Sequence, residues 1–232
     1  MRISGLQKLA MVDFPGKLAA TVFTGGCNLR CPFCHNALLV NRLEENPEIH
    51  SVEEVLDFLK KRKSFLDGMV LSGGEPLLQN GAADFLAEIK SLGFAVKLDT
   101  NGCYPDALAD ILSRGLVDYV AMDIKNSREK YAETVGIPGF DITPVERSVD
   151  LLKNSGIDFE FRTTVVKEFH TAQDIGDIGR WLSGSPRYFL QQFVDSGDLV
   201  GSGCTAVNPL ELQAFAEVAR PFFGEVSIRG IN

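Results

Sequence analysis

Three of the chain's five cysteines fall within Gly25-Gly26-Cys27-Asn28-Leu29-Arg30-Cys31-Pro32-Phe33-Cys34-His35-Asn36, spaced Cys-x3-Cys-x2-Cys. Thiolates are soft ligands, and a short loop can turn three of them toward one centre, as a metal ion or an iron–sulfur cluster requires. Three readings compete. A structural zinc site would add His35 as fourth ligand. Such sites usually pair two knuckles well apart in sequence, and here every ligand comes from one short stretch. A thioredoxin-like redox pair would use Cys31-Pro32-Phe33-Cys34 and leave Cys27 without a role. A [4Fe–4S] cluster on three cysteines would keep one iron open to a ligand, because full ligation takes four. The loop favours the cluster.

The rest of the chain must position that loop. At 232 residues it can bury a full core as one domain. Its net charge of −8 argues against a general nucleic-acid binder, which needs a basic surface. No apolar run is long enough to span a membrane. Met1-Arg2-Ile3-Ser4-Gly5-Leu6 is too polar for a signal peptide, so the expected setting is cytoplasmic with reduced thiols.

Residues 1–17 show no clear period, and Leu18–Thr24 reads as the first strand. The stretch 37–50 reads as irregular, after which Ser51 and Glu54 form a capping-box pattern opening a helix. Further strands are expected at 68–72, 94–98, 117–122, 157–166 and 187–193, with helices at 80–91, 105–114, 143–155 and 172–183. A loop at 126–141 holds at most one helical turn. A glycine- and serine-rich loop (195–207), a helix (208–220) and a short strand (225–229) follow. Six alternations of strand and helix predict a parallel α/β sheet in a single domain: an N-terminal extension (1–17), a core (18–193) and a C-terminal segment (194–232).

The polar motifs share one location. The cysteine loop, Gly73-Gly74-Glu75-Pro76, Asp99-Thr100-Asn101-Gly102 and Asp123-Ile124-Lys125 each follow a strand, and the carboxyl ends of parallel strands face one side where ligands bind. Gly73 and Gly74 lack a Cβ and would let a ligand approach the backbone closely. Alone, that tetrapeptide is better read as a strand-to-helix turn.

Cys-x3-Cys-x2-Cys with Phe33 before the last cysteine, followed one βα unit later by Gly-Gly-Glu-Pro, resembles the radical S-adenosylmethionine (SAM) superfamily across 18–193. The resemblance implies a partial (β/α)6 TIM-like barrel, with Cys27, Cys31 and Cys34 as catalytic ligands of a [4Fe–4S] cluster. The open iron would chelate the amino and carboxylate groups of S-adenosylmethionine, and reductive cleavage would release a 5′-deoxyadenosyl radical. It also places the methionine amino group beside Ser72, Gly73, Gly74, Glu75 and Pro76. Phe33 can pack on the adenine or wedge the loop into the core. Lys125 and Arg162 are cations able to meet the methionine carboxylate, although Arg162 can equally face outward; Gln191 is a candidate for the ribose.

Cys34-His35-Asn36, Asp99-Thr100-Asn101-Gly102 and Asp123-Ile124-Lys125 match motifs of enzymes that activate glycyl radical proteins. In that group the two aspartates help hold a monovalent cation near the cofactor, and oxygen donors suit such an ion; Asp99 or Asp123 can instead be a plain helix cap. Gly5-Leu6-Gln7-Lys8 with Val12 to Lys17 resembles the opening of activators of anaerobic ribonucleoside-triphosphate reductase, whereas shorter bacterial activators of that reductase carry a different run after the third cysteine. The resemblance therefore implies a glycyl radical enzyme as partner and a flavodoxin- or ferredoxin-type electron donor. A pyruvate formate-lyase-type activase and a small-molecule enzyme of the 7-carboxy-7-deazaguanine synthase kind are the alternatives. Cys103 reads as a small buried residue, and Cys204 has no assigned role.

Overall fold

A computed structural model describes residues 1–46 and 49–230. The short gap within 37–50 and the last two positions of the C-terminal segment lie outside the described residues. Among the described residues, eight strands form one sheet in chain order: β1 (Ile3–Ala10), β2 (Ala19–Thr24), β3 (Gly68–Gly73), β4 (Ala95–Thr100), β5 (Tyr119–Asp123), β6 (Asp158–Val165), β7 (Arg187–Gln192) and β8 (Glu225–Arg229). Strands β2 to β8 pair in parallel, while β1 runs antiparallel to β2. The six expected βα units are present, in the partial barrel that the motifs implied.

The extension is the main difference from expectation. Residues 3–10 form an edge strand, and β8 adds a seventh parallel strand at the other edge. Buried Ile3, Ser4 and Gly5 at its start and exposed Gln7, Lys8 and Leu9 after them never alternate, so period-two reading misses β1. Within 37–50 the chain forms one turn of helix, α1 (Ala37–Val40), and a 3-10 turn at Leu43–Glu45.

Seven helices follow: α2 (Val52–Arg62), α3 (Ala82–Ser91), α4 (Pro105–Ser113), α5 (Tyr131–Thr134), α6 (Thr143–Asn154), α7 (Ala172–Leu182) and α8 (Pro209–Ala219). The Ser51–Glu54 capping box opens α2 as expected, and Thr171 with Asp174 makes a second one at α7. Helix apolar faces pack on the outward side chains of the strands, such as Val22, Leu71, Val96, Leu98, Phe161 and Leu190, in one continuous core. The inward side differs. At its base Phe14, Ala19, Val70, Tyr119 and Ala121 form a small apolar plug, and above it the inward residues turn polar. Covered on both faces, these strands read as apolar runs except where they feed the site.

Candidate active site

A cavity of about 390 Å³ opens at the carboxyl ends of the parallel strands. Cys27, Cys31, Phe33, Cys34, Ser72, Gly73, Gly74, Asp99, Thr100, Asn101, Asp123, Lys125, Arg162 and Gln191 all line it. Arg162 faces inward. His35 stands exposed at its rim, and Gln7 from β1 joins the wall.

Neighbouring segments hold the cysteine loop in place. The Arg30 N–H donates to the Val135 carbonyl at 3.0 Å, and Gly136 sits so close that a Cβ there would lie 2.4 Å from the Arg30 oxygen. Residues 198–201 strap the other side: the Val200 and Gly201 N–H groups donate to the carbonyls of Cys34 and Pro32 at 3.0 and 2.9 Å, and Asp198 pairs with Arg42. Phe33 is buried against the Phe169 ring, 5.9 Å between centroids, while still facing the cavity. Burial pushes the Cys31 thiol up to about 12 and raises Cys27. The bare Cys27 and Cys31 thiols stay protonated until a metal displaces the protons.

Among the described residues no three thiol, imidazole and carboxylate groups converge as a single metal ion would require. A cluster takes one thiolate per iron and spreads them, so Cys27, Cys31 and Cys34 on one wall fit it. Asn101 Nδ2 also lies 3.8 Å from Cys27 Sγ, a donor set toward that sulfur.

Gly-Gly-Glu-Pro divides in two. Gly73 and Gly74 line the cavity, but their lack of a Cβ serves the protein's own backbone. A Cβ on Gly73 would meet the Thr24 nitrogen at 2.2 Å, and one on Gly74 the Gly26 oxygen at 2.1 Å. Strand β3 can thus close on the start of the cysteine loop, where Glu75 N–H donates to Gly26 O at 2.8 Å. Glu75 and Pro76 do not line the cavity. The Glu75 carboxylate is wholly buried behind it and accepts from Leu77 N–H (3.0 Å), Thr100 Oγ1 (2.8 Å) and Asn101 N–H (2.7 Å). Burial raises its pKa to about 7 even though these donors favour the anion.

Asp99 and Asp123 are ion-pair partners rather than helix caps. Asp99 Oδ1 meets Lys97 Nζ at 2.5 Å, and Oδ2 meets Arg162 Nη2 at 3.3 Å and Ser72 Oγ at 3.1 Å. Asp123 meets Arg162 Nε at 2.6 Å through Oδ1 and Lys125 Nζ at 2.9 Å through Oδ2. Burial alone would raise both carboxyls, but Arg162 first, then Lys97 at Asp99 and Lys125 at Asp123, holds them below the usual carboxylate range. Two carboxylates and three cations leave one positive charge in excess. That balance fits an incoming carboxylate. It does not fit the expected monovalent cation, because every oxygen of the two aspartates already faces a protein cation.

Lys97 is the residue that sequence reasoning missed. Strand parity could have found it, since positions 97 and 99 share a face. His170 is a second. Buried beneath the loop, its Nε2 lies 2.8 Å from the Lys125 carbonyl and its Nδ1 lies 3.1 Å from the Val166 nitrogen. Cys103 sits beside the loop near Asn28, with a thiol raised to about 12 by burial, and does not line the cavity. Cys204 is buried just beyond the strap.

Residues 21–182 match the model of the Radical SAM superfamily. A Methanocaldococcus jannaschii protein, provisionally named a glycyl-radical enzyme activating enzyme, is 34% identical over 99% of this chain and 96% of its own length. The pyruvate formate-lyase-activating enzyme of Staphylococcus aureus is 33% identical over 65% of this chain and 64% of that enzyme, so the match leaves about a third of each uncovered. Streptococcus suis SuiB, solved with S-adenosylmethionine bound, superposes with a TM-score of 0.71 at 14% identity, over 89% of this chain and 48% of SuiB. QueE from Escherichia coli superposes at 0.57 and 15% identity, over 99% of this chain and 94% of QueE. At such identities these structures share the fold.

Proposed function

The chain belongs to the radical SAM superfamily, and on that premise we propose that it activates a glycyl radical enzyme, leaving a stored radical on a glycine Cα of its partner. The observation that carries this reading is the near end-to-end similarity to the Methanocaldococcus jannaschii protein. This chain's own Cys-His-Asn, Asp-Thr-Asn-Gly and Asp-Ile-Lys motifs, gathered at one cavity, support it. When bound, the [4Fe–4S] cluster and S-adenosylmethionine supply one-electron cleavage of the sulfonium to methionine and a 5′-deoxyadenosyl radical.

In this reading Cys27, Cys31 and Cys34 hold three irons. Lys125 and Arg162 receive the methionine carboxylate, drawn by the excess positive charge described above. The edge formed by Ser72, Gly73 and Gly74 receives the amino group, Phe33 packs on the adenine, and Gln191 bonds the ribose. Thr100 and Asn101 shape the wall beside Cys27, with Glu75 and Pro76 supporting it from behind. The partner's glycine loop would enter where the sheet stays open between β1 and β8.

Anaerobic ribonucleoside-triphosphate reductase is the favoured partner, on the likeness of residues 5–17 to activators of that reductase. A flavodoxin- or ferredoxin-type donor would supply the electron, in the cytoplasm. Among the described residues no helix is long and apolar enough to cross a membrane. Electron paramagnetic resonance tests the proposal. Reconstituted protein, dithionite and S-adenosylmethionine are mixed with the reductase or with pyruvate formate-lyase. A glycyl doublet is expected with the reductase. A doublet only with the lyase moves the partner assignment, and cofactor cleavage without a doublet on either one overturns the activase reading.

A further inference from the structure

Lys97 lies two residues before Asp99 on the inward face of β4, in register with Val70 of β3 and Tyr119 of β5. Its stem therefore runs through the apolar plug, and the residue is only 2% exposed. A buried ammonium is stable when it is paired, and Asp99 Oδ1 provides that pairing at 2.5 Å. The ammonium thus sits below the cavity floor, where it can neutralise Asp99 without occupying ligand space.

We propose that the Lys97 ammonium is the resident counter-cation of Asp99, so that this site binds S-adenosylmethionine without an alkali ion. The proposal rests on the radical SAM assignment, and it is independent of which partner, if any, receives the radical. Neutralised by Lys97 on one oxygen, Asp99 uses the other to hold Arg162 and Ser72. Arg162 in turn spans to Asp123, which orients Lys125. Lys97 is a positioning residue, acting through Asp99 on the groups that face the cavity. With Lys97 replaced by a short hydroxyl side chain, Asp99 Oδ1 loses its cation, and the vacated space suits a dehydrated monovalent ion on oxygen ligands.

The test measures S-adenosylmethionine affinity of the cluster-loaded protein by calorimetry, in potassium or tetramethylammonium chloride at equal ionic strength. The wild type should bind equally well in both. Lys97→Ser should bind about ten- to a hundredfold more weakly in tetramethylammonium and recover in potassium, the loss expected for one charge-assisted bond. Thallium-205 resonance, with the thallous ion standing in for potassium, should show a bound ion in Lys97→Ser and none in wild type. A wild type that loses affinity without alkali ions, or that binds thallous ion at the site, overturns the proposal. So does a folded Lys97→Ser protein that is insensitive to both ions. Should Lys97→Ser fail to fold, the wild-type arms still decide. Because binding is the readout, the absence of a glycyl doublet leaves the result intact.

Discussion

The carboxylate of Glu75 accepts the backbone N–H of Asn101 at 2.7 Å, joining the turn after β3 to the turn after β4. Together with Thr100 and Leu77 it makes one buried acceptor for three donors drawn from both turns. A ligand-binding face is thereby built on a proton-sensitive tie.

The tie has a pH signature. Burial raises the Glu75 pKa from its ordinary 4.5 to about 7. The folded protein therefore holds this proton more tightly than the unfolded chain does. The contribution is full below about 4.5 and is lost as pH rises through about 7, a range worth up to roughly 3 kcal/mol. Glu75→Gln should lose that slope and cost about 1–3 kcal/mol overall, because its amide nitrogen faces a donor. Thermal melts of both proteins from acid to neutral pH check this in their difference. His170, whose pKa burial lowers, is common to both and cancels.

Gly74→Ala isolates the backbone approach. Its Cβ would lie 2.1 Å from the Gly26 carbonyl oxygen, and that oxygen is already bonded to Glu75 N–H. Neither backbone can yield cheaply. A loss of about 1–3 kcal/mol or more is expected, with reduced cluster retention. Gly81→Ala, where a Cβ meets nothing within 4 Å but φ is +89°, should cost only the left-handed backbone penalty of about 1–2 kcal/mol and keep its iron. Melting temperatures and iron content of the pair separate the two effects.

Replacing Cys27, Cys31 or Cys34 singly by serine should abolish the brown chromophore and drop iron and sulfide well below the about four of each per chain expected of a [4Fe–4S] protein. Cys103→Ser should retain them, since this thiol lies outside the cavity wall. Equal loss in Cys103→Ser would make it a cluster ligand.

His170 acts on Lys125 through the main chain. His170→Leu removes the group that meets the Lys125 carbonyl, leaving a buried oxygen unsatisfied at about 1–3 kcal/mol. Part of that cost should appear as a several-fold weaker affinity for S-adenosylmethionine, with iron content unchanged. Calorimetry against iron analysis distinguishes this from loss of the cluster.

Much of the site was legible because a parallel sheet exports its strand-end residues to one face, so motif positions translate directly into place. What was hidden depended on contacts between segments distant in sequence. The role of Gly73 and Gly74 required seeing Thr24 and Gly26 beside them. Glu75 looked like a cavity residue because its neighbours are, yet its side chain turns back into three donors. Lys97 lies inside an expected strand with no motif around it, although its parity with Asp99 marks it as inward. Strand β1 left no periodic trace, since its first residues are all buried and its later ones are solvent-facing.

The strap over Cys34 and Pro32 sets an order of events during synthesis. A ribosome releases the three thiols long before it releases residues 198–201, so the nascent chain exposes them to iron donors and to oxidants alike. Folding of the tail then confines that exposure to the cavity, which Cys27, Cys31 and Cys34 still line. A chain cut short ahead of residue 198 would keep its cysteines but lose the two backbone hydrogen bonds that fix the loop carrying them.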